Sequence, residues 1–214
     1  MRFYYGLAAV IAVSAAMAAP ALDKVEFVII DLQEKANQKV NEDFHGGGVA
    51  NNHLGELAKT KQKFEGIPFE IGEGLLQLSS KRLANFPEKI EGIKIGRTLD
   101  KLHIVHACGY FDDEKTVIGH CVVNYADDTT EKIEIVYGKD VRDWWTPPKT
   151  PDASRSKIAW KGENEPSKER NYTLRLYLTT WKNPKPGKKV VSVDYVSAQS
   201  ASAPFCVAMT AECR

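Results

Sequence analysis

The chain has 214 residues, of which 29 are Lys or Arg and 28 are Asp or Glu, and 43% of all residues are hydrophobic. This composition is typical of a globular domain and excludes a disordered or collagen-like chain. The charge balance excludes a broad electrostatic nucleic-acid surface and a polybasic membrane-binding patch.

The first nineteen residues have the pattern of a secretory signal peptide. Arg2 supplies a positive charge, residues 6–16 are uncharged and mostly apolar, and Ala16–Ala18 forms a small-x-small cleavage site. The apolar run is shorter than the roughly 18–20 residues that span a bilayer, so no membrane insertion is predicted. An uncleaved N-terminal anchor is the alternative. We therefore expect a secreted or periplasmic protein with one domain over residues 20–214.

Period-two alternation dominates the remaining sequence, and helical periodicity is scarce. Eleven strands are predicted, at residues 25–32, 62–69, 75–79, 90–95, 102–108, 117–125, 131–137, 157–160, 173–180, 190–196 and 205–212. In the tenth of these strands, Val191, Val193 and Tyr195 are predicted to share the buried face. Alternation of this kind is typical of antiparallel sheets that bury one face each.

Long polar connections separate several of these strands. The longest run over residues 33–55 and 143–156, a third covers 162–171, and Leu54–Lys61 is predicted as one short helix. Many short strands with long loops favour an all-β fold, a two-sheet antiparallel jelly-roll sandwich with at most one or two short helices.

Outside the cytoplasm, paired cysteines become plausible structural bonds. Cys108 closes one predicted strand and Cys121 lies in the next, with a turn-like acidic segment between them. A hairpin folded at its midpoint would bring their Cα atoms to about 4.5–5.5 Å, so we predict a Cys108–Cys121 disulfide. Cys206 and Cys213 lie on one extended strand and are too far apart to bond to each other. The alternative is that all four cysteines are buried or terminal thiols.

Several segments together resemble a group of secreted bacterial domains. The segments are Asp31–Asn37, Ile71–Gly74, Leu102–His106, Val136–Trp145, Leu176–Trp181 and Ala203–Ala208. They are similar to galactose-binding-like jelly-roll domains of the type found in planctomycete and related bacterial proteins. The resemblance covers nearly all of the chain after residue 19 and implies the fold more than a ligand.

The resemblance also implies a structural calcium. Domains of this kind often hold the ion in the loop after the first strand, with a carboxylate from the last strand. The corresponding residues here are Asp31, Asn37 and Glu212, and oxygen ligands from separate segments suit calcium. The alternative is a solvated acidic loop without an ion.

The strongest candidate for a ligand site is the segment Arg142-Asp143-Trp144-Trp145. It combines a guanidinium donor, a carboxylate acceptor and two aromatic planes, which suit the hydroxyls and apolar C–H faces of a sugar. Neighbouring side chains of an extended segment point to opposite faces, so one tryptophan can fill the core while the other reaches solvent. The alternative is that the tryptophans close the core and the charged pair binds other loops.

Three residues outside this segment are predicted to complete the site. Trp181 and Tyr110 would add aromatic surface, and Asn164 would add a hydrogen-bonding amide. No catalytic motif accompanies them, so we expect a protein that is not an enzyme. The predicted function is a secreted, non-catalytic module that binds carbohydrate. The alternative is a domain that binds a protein partner or has a structural role in the cell envelope.

Overall fold

The computed structural model of the protein describes Met1, residues 25–45 and residues 49–214. The predicted signal peptide, apart from Met1, lies outside the described residues. Within the described part of the chain, no helix has the length and apolar character that crossing a membrane would require.

The described residues form fourteen strands, two short 3-10 helices and one α-helix. The strands are β1 (Glu26–Ile30), β2 (Gln38–Lys39), β3 (Thr60–Phe64), β4 (Ile67–Ile71), β5 (Gly74–Gln77), β6 (Lys89–Arg97), β7 (Lys101–Gly109), β8 (Val117–Tyr125), β9 (Thr130–Val136), β10 (Trp145–Thr146), β11 (Lys157–Gly162), β12 (Thr173–Lys182), β13 (Val190–Ser197) and β14 (Ala203–Cys213). The 3-10 helices span Gln33–Lys35 and Gly55–Leu57, and helix α1 spans Glu165–Glu169.

Two antiparallel sheets form the body of the molecule. The larger has eight strands in the order β10-β12-β7-β14-β5-β2, with β1 paired to β14 and β11 paired to β12. The smaller has four strands in the order β6-β13-β8-β9, and β3 and β4 form a separate hairpin. This arrangement confirms the predicted all-β sandwich of jelly-roll type.

The two sheets pack together over one hydrophobic core. The bulkiest fully buried side chains are Trp144, Tyr177, Tyr195, Phe69 and Phe205, and they come from both sheets and from the connections between them. Gly119 of β8 marks a close approach, because a Cβ atom there would lie 2.7 Å from the backbone oxygen of Val196 and 3.3 Å from the Pro204 ring of β14.

Local predictions differ from the structure at two places. The predicted strand 62–69 is a hairpin, because Glu65 and Gly66 both have positive φ angles (50° and 81°), as a tight two-residue turn requires. The predicted helix Leu54–Lys61 is wrong: a 3-10 helix ends at Leu57, and β3 begins at Thr60.

The predicted Cys108–Cys121 disulfide is also wrong. Strands β7 and β8 do not form a hairpin, because β7 pairs with β12 and β14 in the larger sheet while β8 pairs with β9 and β13 in the smaller. All four cysteines are buried free thiols. Burial disfavours the thiolate and raises the pKa of Cys121 to about 12, so this side chain behaves as a small apolar core residue.

Candidate functional site

A cavity of about 530 Å³ opens beside the segment Arg142–Thr146. Its volume is within the range of about 300–1,000 Å³ typical of small-molecule sites. The described residues that line it are His45, Val49, Asn52, Tyr110, Phe111, Tyr137, Arg142, Asp143, Trp144, Trp145, Pro147, Thr150, Arg170 and Tyr172. Most of these side chains are aromatic or charged, so the cavity combines apolar walls with a few strong polar groups.

The segment Arg142–Thr146 is held between two strands of the larger sheet. The Trp144 N–H donates to the Cys108 carbonyl at the end of β7 (2.9 Å), and Trp145 pairs with Leu174 at the start of β12. The segment is therefore extended, and its successive side chains point in opposite directions. This geometry separates the two adjacent tryptophans.

Trp144 points into the core. It is 1% exposed, and its ring stacks on Phe44 at a centroid distance of 4.6 Å and an interplanar angle of 14°. Phe205 of β14 meets the same indole edge-on at 6.1 Å. The prediction that one of the two tryptophans fills the core is confirmed, and Trp144 forms an inner wall of the cavity.

Trp145 is half-buried and borders the cavity. Its indole Nε1–H donates to Asn52 Oδ1 (3.0 Å), and its ring packs edge-on against Tyr172 at 6.1 Å. The Arg170 guanidinium lies 5.0 Å from the ring centroid. Three neighbours, one from the loop before β3 and two from the segment after α1, therefore fix the orientation of this ring before any ligand is present.

Asp143 has a strongly shifted pKa in the cavity wall. Desolvation of its carboxyl group raises the pKa to about 7, although the backbone N–H of Trp145 donates to Oδ1 (3.0 Å). Arg142 does not neutralise it, since its guanidinium binds Glu114 instead (2.5 Å). Asp143 can thus accept a hydrogen bond when ionised and donate one when protonated, both near neutral pH.

The pKa of Asp143 predicts a specific pH dependence of stability. The folded protein keeps this proton between about pH 4 and 7, where the unfolded chain loses it, so the contribution of Asp143 to stability falls as the pH rises through this window. Asp143→Asn cannot ionise but retains an Oδ1 acceptor. We expect the free energy of unfolding of the variant, relative to wild type, to increase by about 2–4 kcal/mol between about pH 4.5 and 8.

Urea denaturation of both proteins at a series of pH values measures this difference. Taking the difference between the two proteins cancels the titration of the buried histidines, which both proteins share. A difference that stays constant with pH would show that folding does not shift the pKa of Asp143, and one that favours the wild type at high pH would show that the surroundings stabilise the carboxylate.

Arg142 is locked into the cavity wall. Its side chain is 10% exposed, pairs with Glu114, and lies 5.7 Å from the Tyr137 ring centroid. Gly138 permits this arrangement, because its φ is +77° and the Glu114 carboxyl group occupies the place of a Cβ atom. The Nε of Arg142 is buried without a hydrogen-bond partner in the described part of the chain. One donor of this guanidinium is therefore unused.

The structure brings four of the six predicted ligand-binding residues together, namely Tyr110, Arg142, Asp143 and Trp145. Asn164 does not line the cavity. It caps helix α1, and its Nδ2 donates to Oδ1 of Asn52, which does line the cavity (3.1 Å). It therefore positions Asn52.

Trp181 does not line this cavity. It pairs with Leu102 near the end of β12 and borders a separate surface depression with Ile133 and Arg155. The prediction that Trp181 contributes to the same site is wrong, because β12 carries it to the other end of the sheet from Leu174, the partner of Trp145.

The three predicted calcium ligands are not gathered at one place. Glu212 is opposite Phe27, near the start of β1, whereas Asp31 follows the end of that strand. Four residues of extended chain separate these positions by about 13 Å. The described residues contain no cluster of three or more His, Cys, Asp or Glu side chains that could hold a metal ion.

Other groups occupy the oxygens of the predicted ligands. The Asn37 side chain exchanges two hydrogen bonds with the Gln77 backbone (2.8 and 2.9 Å). The Glu212 carboxylate binds Lys101 Nζ (2.7 Å) and His103 Nε2 (3.2 Å). These contacts explain the polar side chains at both positions as parts of the sheet structure.

Sequence reasoning missed several residues of the cavity, among them His45, Asn52, Arg170 and Tyr172. They come from the loop before β3 and from the end of α1, far in sequence from Trp145. One local signal was available: Asn164 followed by Glu165, Pro166 and Ser167 is a typical helix start, and it predicts α1. That helix places Arg170 and Tyr172 next to Trp145.

The chain matches no protein-family model and no curated protein. The fold and the cavity together define a jelly-roll-type sandwich with an aromatic-walled site at one end of its larger sheet.

Proposed function

We propose that this protein binds a carbohydrate in the cavity beside Trp145 and does not act on it chemically. The observation that carries the proposal is the half-buried Trp145 ring, fixed by Asn52, Tyr172 and Arg170 on the wall of a cavity that also contains Asp143. A fixed aromatic plane with a carboxyl group nearby is suited to a pyranose ring.

The chemistry of the cavity wall matches the two surfaces of a sugar. Apolar C–H faces pack on aromatic rings such as Trp145 and Tyr110, whereas hydroxyl groups need both donors and acceptors. Asp143 supplies a group of either kind, and the Arg142 Nε–H is buried without a partner among the described residues. Because these groups are already held by the protein, little conformational entropy is lost when the ligand binds.

The distribution of carboxyl groups supports binding rather than hydrolysis. Among the described residues that line the cavity, Asp143 is the one acidic side chain. Glycoside hydrolysis ordinarily needs two carboxyl groups about 5–9.5 Å apart, one on each side of the scissile bond. Glu114, which pairs with Arg142, does not line the cavity.

A glycan array probed with the purified protein tests the proposal. We expect saturable binding to a structurally related set of glycans, and unchanged glycans when the same samples are incubated with the protein and analysed by chromatography. An empty array would contradict the proposal, and an empty array together with one specific co-purified protein would favour the alternative of a protein-binding domain. Release of sugar products would show an enzyme.

A further inference from the structure

Two arginines at the cavity differ from all others in the described part of the chain. Arg97, Arg142, Arg155, Arg175 and Arg214 each have a carboxylate partner within 4.0 Å. Arg82 and Arg170 have none among the described residues, and both lie on aromatic residues that line the cavity. Among the described residues, the guanidinium groups that lack a carboxylate partner are therefore collected at the proposed site.

Arg170 stands on the Trp145 side of the cavity. Its side chain follows the last turn of α1, and one Nη donates to the Pro166 carbonyl (3.1 Å). Within the described part of the chain, this contact leaves most of the five N–H donors of the guanidinium without a partner. Its position 5.0 Å from the Trp145 ring centroid places the free donors beside the surface on which a sugar would pack.

Arg82 stands at the aromatic pair Tyr110 and Phe111. Its guanidinium carbon lies 4.7 Å from the Phe111 ring centroid and 6.0 Å from that of Tyr110. Phe111 is 62% exposed although it is a large apolar side chain, and it borders the cavity. An exposed phenyl ring covered by an unpaired guanidinium is a surface to which an anion with an apolar body can bind.

The charges around the cavity do not cancel. Glu114 neutralises Arg142, and Asp152 neutralises Arg175 nearby. Asp143 is the one acidic side chain among the described residues that line the cavity, and its raised pKa of about 7 leaves it only partly ionised near neutral pH. The site therefore presents a net positive charge even though the whole chain is almost neutral.

We infer that the saccharide bound in this cavity is acidic, with a carboxylate or sulfate group held by Arg170 and Arg82. The planar fork of a guanidinium binds such groups with two parallel hydrogen bonds, which a neutral hydroxyl cannot match. This inference rests on the proposed function, since it specifies the chemical class of the same ligand. The two sources of the anion, a uronic acid and a sulfated sugar, present the same charge to the two arginines.

Titration calorimetry with three probes tests the inference: an oligogalacturonate, a sulfated galactan oligosaccharide and a neutral galacto-oligosaccharide of similar length. We expect at least one acidic probe to bind about tenfold or more tightly than the neutral one. Its affinity should fall as the salt concentration rises from about 0.05 to 0.5 M, because salt screens the attraction. The acidic probe that binds more tightly identifies the anion.

Arg82→Gln and Arg170→Gln connect this preference to the two residues. Each variant should weaken binding of the acidic probe by about fivefold or more. Arg82→Gln should leave the neutral probe within about twofold, whereas Arg170→Gln also removes a contact to Trp145 and should weaken the acidic probe by a larger factor than the neutral one. Both side chains are exposed, so the variants should retain the wild-type melting temperature. Lys61→Gln removes the same charge from an exposed residue of β3 that does not line the cavity, and it should change neither affinity.

Three results would overturn the inference. Binding of the neutral probe as tightly as both acidic probes would leave the proposed function standing and overturn the charge preference. An acidic preference that survives both arginine variants would place the anion elsewhere. If no probe of either charge binds, and the glycan array is also empty, the proposed function itself fails together with the inference.

Discussion

Trp144→Ala should lower the free energy of unfolding by about 3–5 kcal/mol, the usual effect of deleting a fully buried large aromatic side chain. The indole is 1% exposed and is enclosed by Phe44, His45 and Phe205, so its removal leaves a large void in the core. Because domains of this size are stable by only about 5–15 kcal/mol, the effect is a large part of the total.

Urea denaturation followed by far-ultraviolet circular dichroism measures this change, since fluorescence would be altered by the substitution itself. Trp144→Phe is the matched control, because it retains an aromatic ring against Phe44 and should lose less stability than the alanine variant. A loss of under about 1 kcal/mol for Trp144→Ala would mean that the indole is not enclosed in solution.

Trp145→Ala should reduce ligand affinity more than it reduces the free energy of unfolding, the reverse of Trp144→Ala. We expect saccharide binding to weaken by about 1–3 kcal/mol, by analogy with aromatic stacking at other sites. Its effect on unfolding should be smaller than that of Trp144→Ala, because Trp145 is half-buried and loses one hydrogen bond, to Asn52.

Trp181→Ala is the control for this experiment. Trp181 is a partly buried tryptophan of the same sheet, but it borders a different depression. The Trp181→Ala variant should have a lower free energy of unfolding than the wild type and the same affinity for the saccharide. If Trp145→Ala unfolds the protein as readily as Trp144→Ala while any folded fraction binds normally, Trp145 is a structural residue and the cavity loses its main recognition element.

The alternation of apolar residues predicted most of the strands and the packing of two sheets against each other. Strand β8 has the bounds expected, Val117–Tyr125, because both of its ends coincide with clear turn residues. The prediction that Val191 lies on the buried face of β13 with Val193 and Tyr195 is wrong. Val191 is 47% exposed, since the register shifts between Val190 and Ser192 and rotates this side chain outward. A bulge depends on neighbouring strands and leaves no local pattern.

The same limit explains the wrong disulfide. Consecutive strands usually pair, so the sequence predicts one hairpin that contains Cys108 and Cys121. In the structure the connection after β7 crosses to the other sheet, and β7 instead pairs with β14, nearly one hundred residues later in the chain. The preference of β7 for β12 and β14 is a property of the assembled sandwich, and a single sequence does not display it.

The candidate site was predictable only along its continuous segment. Arg142, Asp143 and the two tryptophans are adjacent, so residue type and strand geometry were enough to suggest one buried and one accessible indole. Asn52 and Arg170 reach Trp145 through folding of distant loops. Their contribution to the site, and the lack of carboxylate partners for Arg82 and Arg170 among the described residues, follow only from three-dimensional contacts.

Fluorine NMR of protein labelled with 5-fluorotryptophan tests the location of the ligand most directly. The chain has 4 Trp residues, so four resonances are expected, and single Trp→Phe variants assign them. When each saccharide of the panel is added in turn, the Trp145 resonance should shift saturably with the one that binds, while Trp160 and Trp181 stay unchanged. A shift of Trp160 or Trp181 with an unchanged Trp145 would contradict the proposed site.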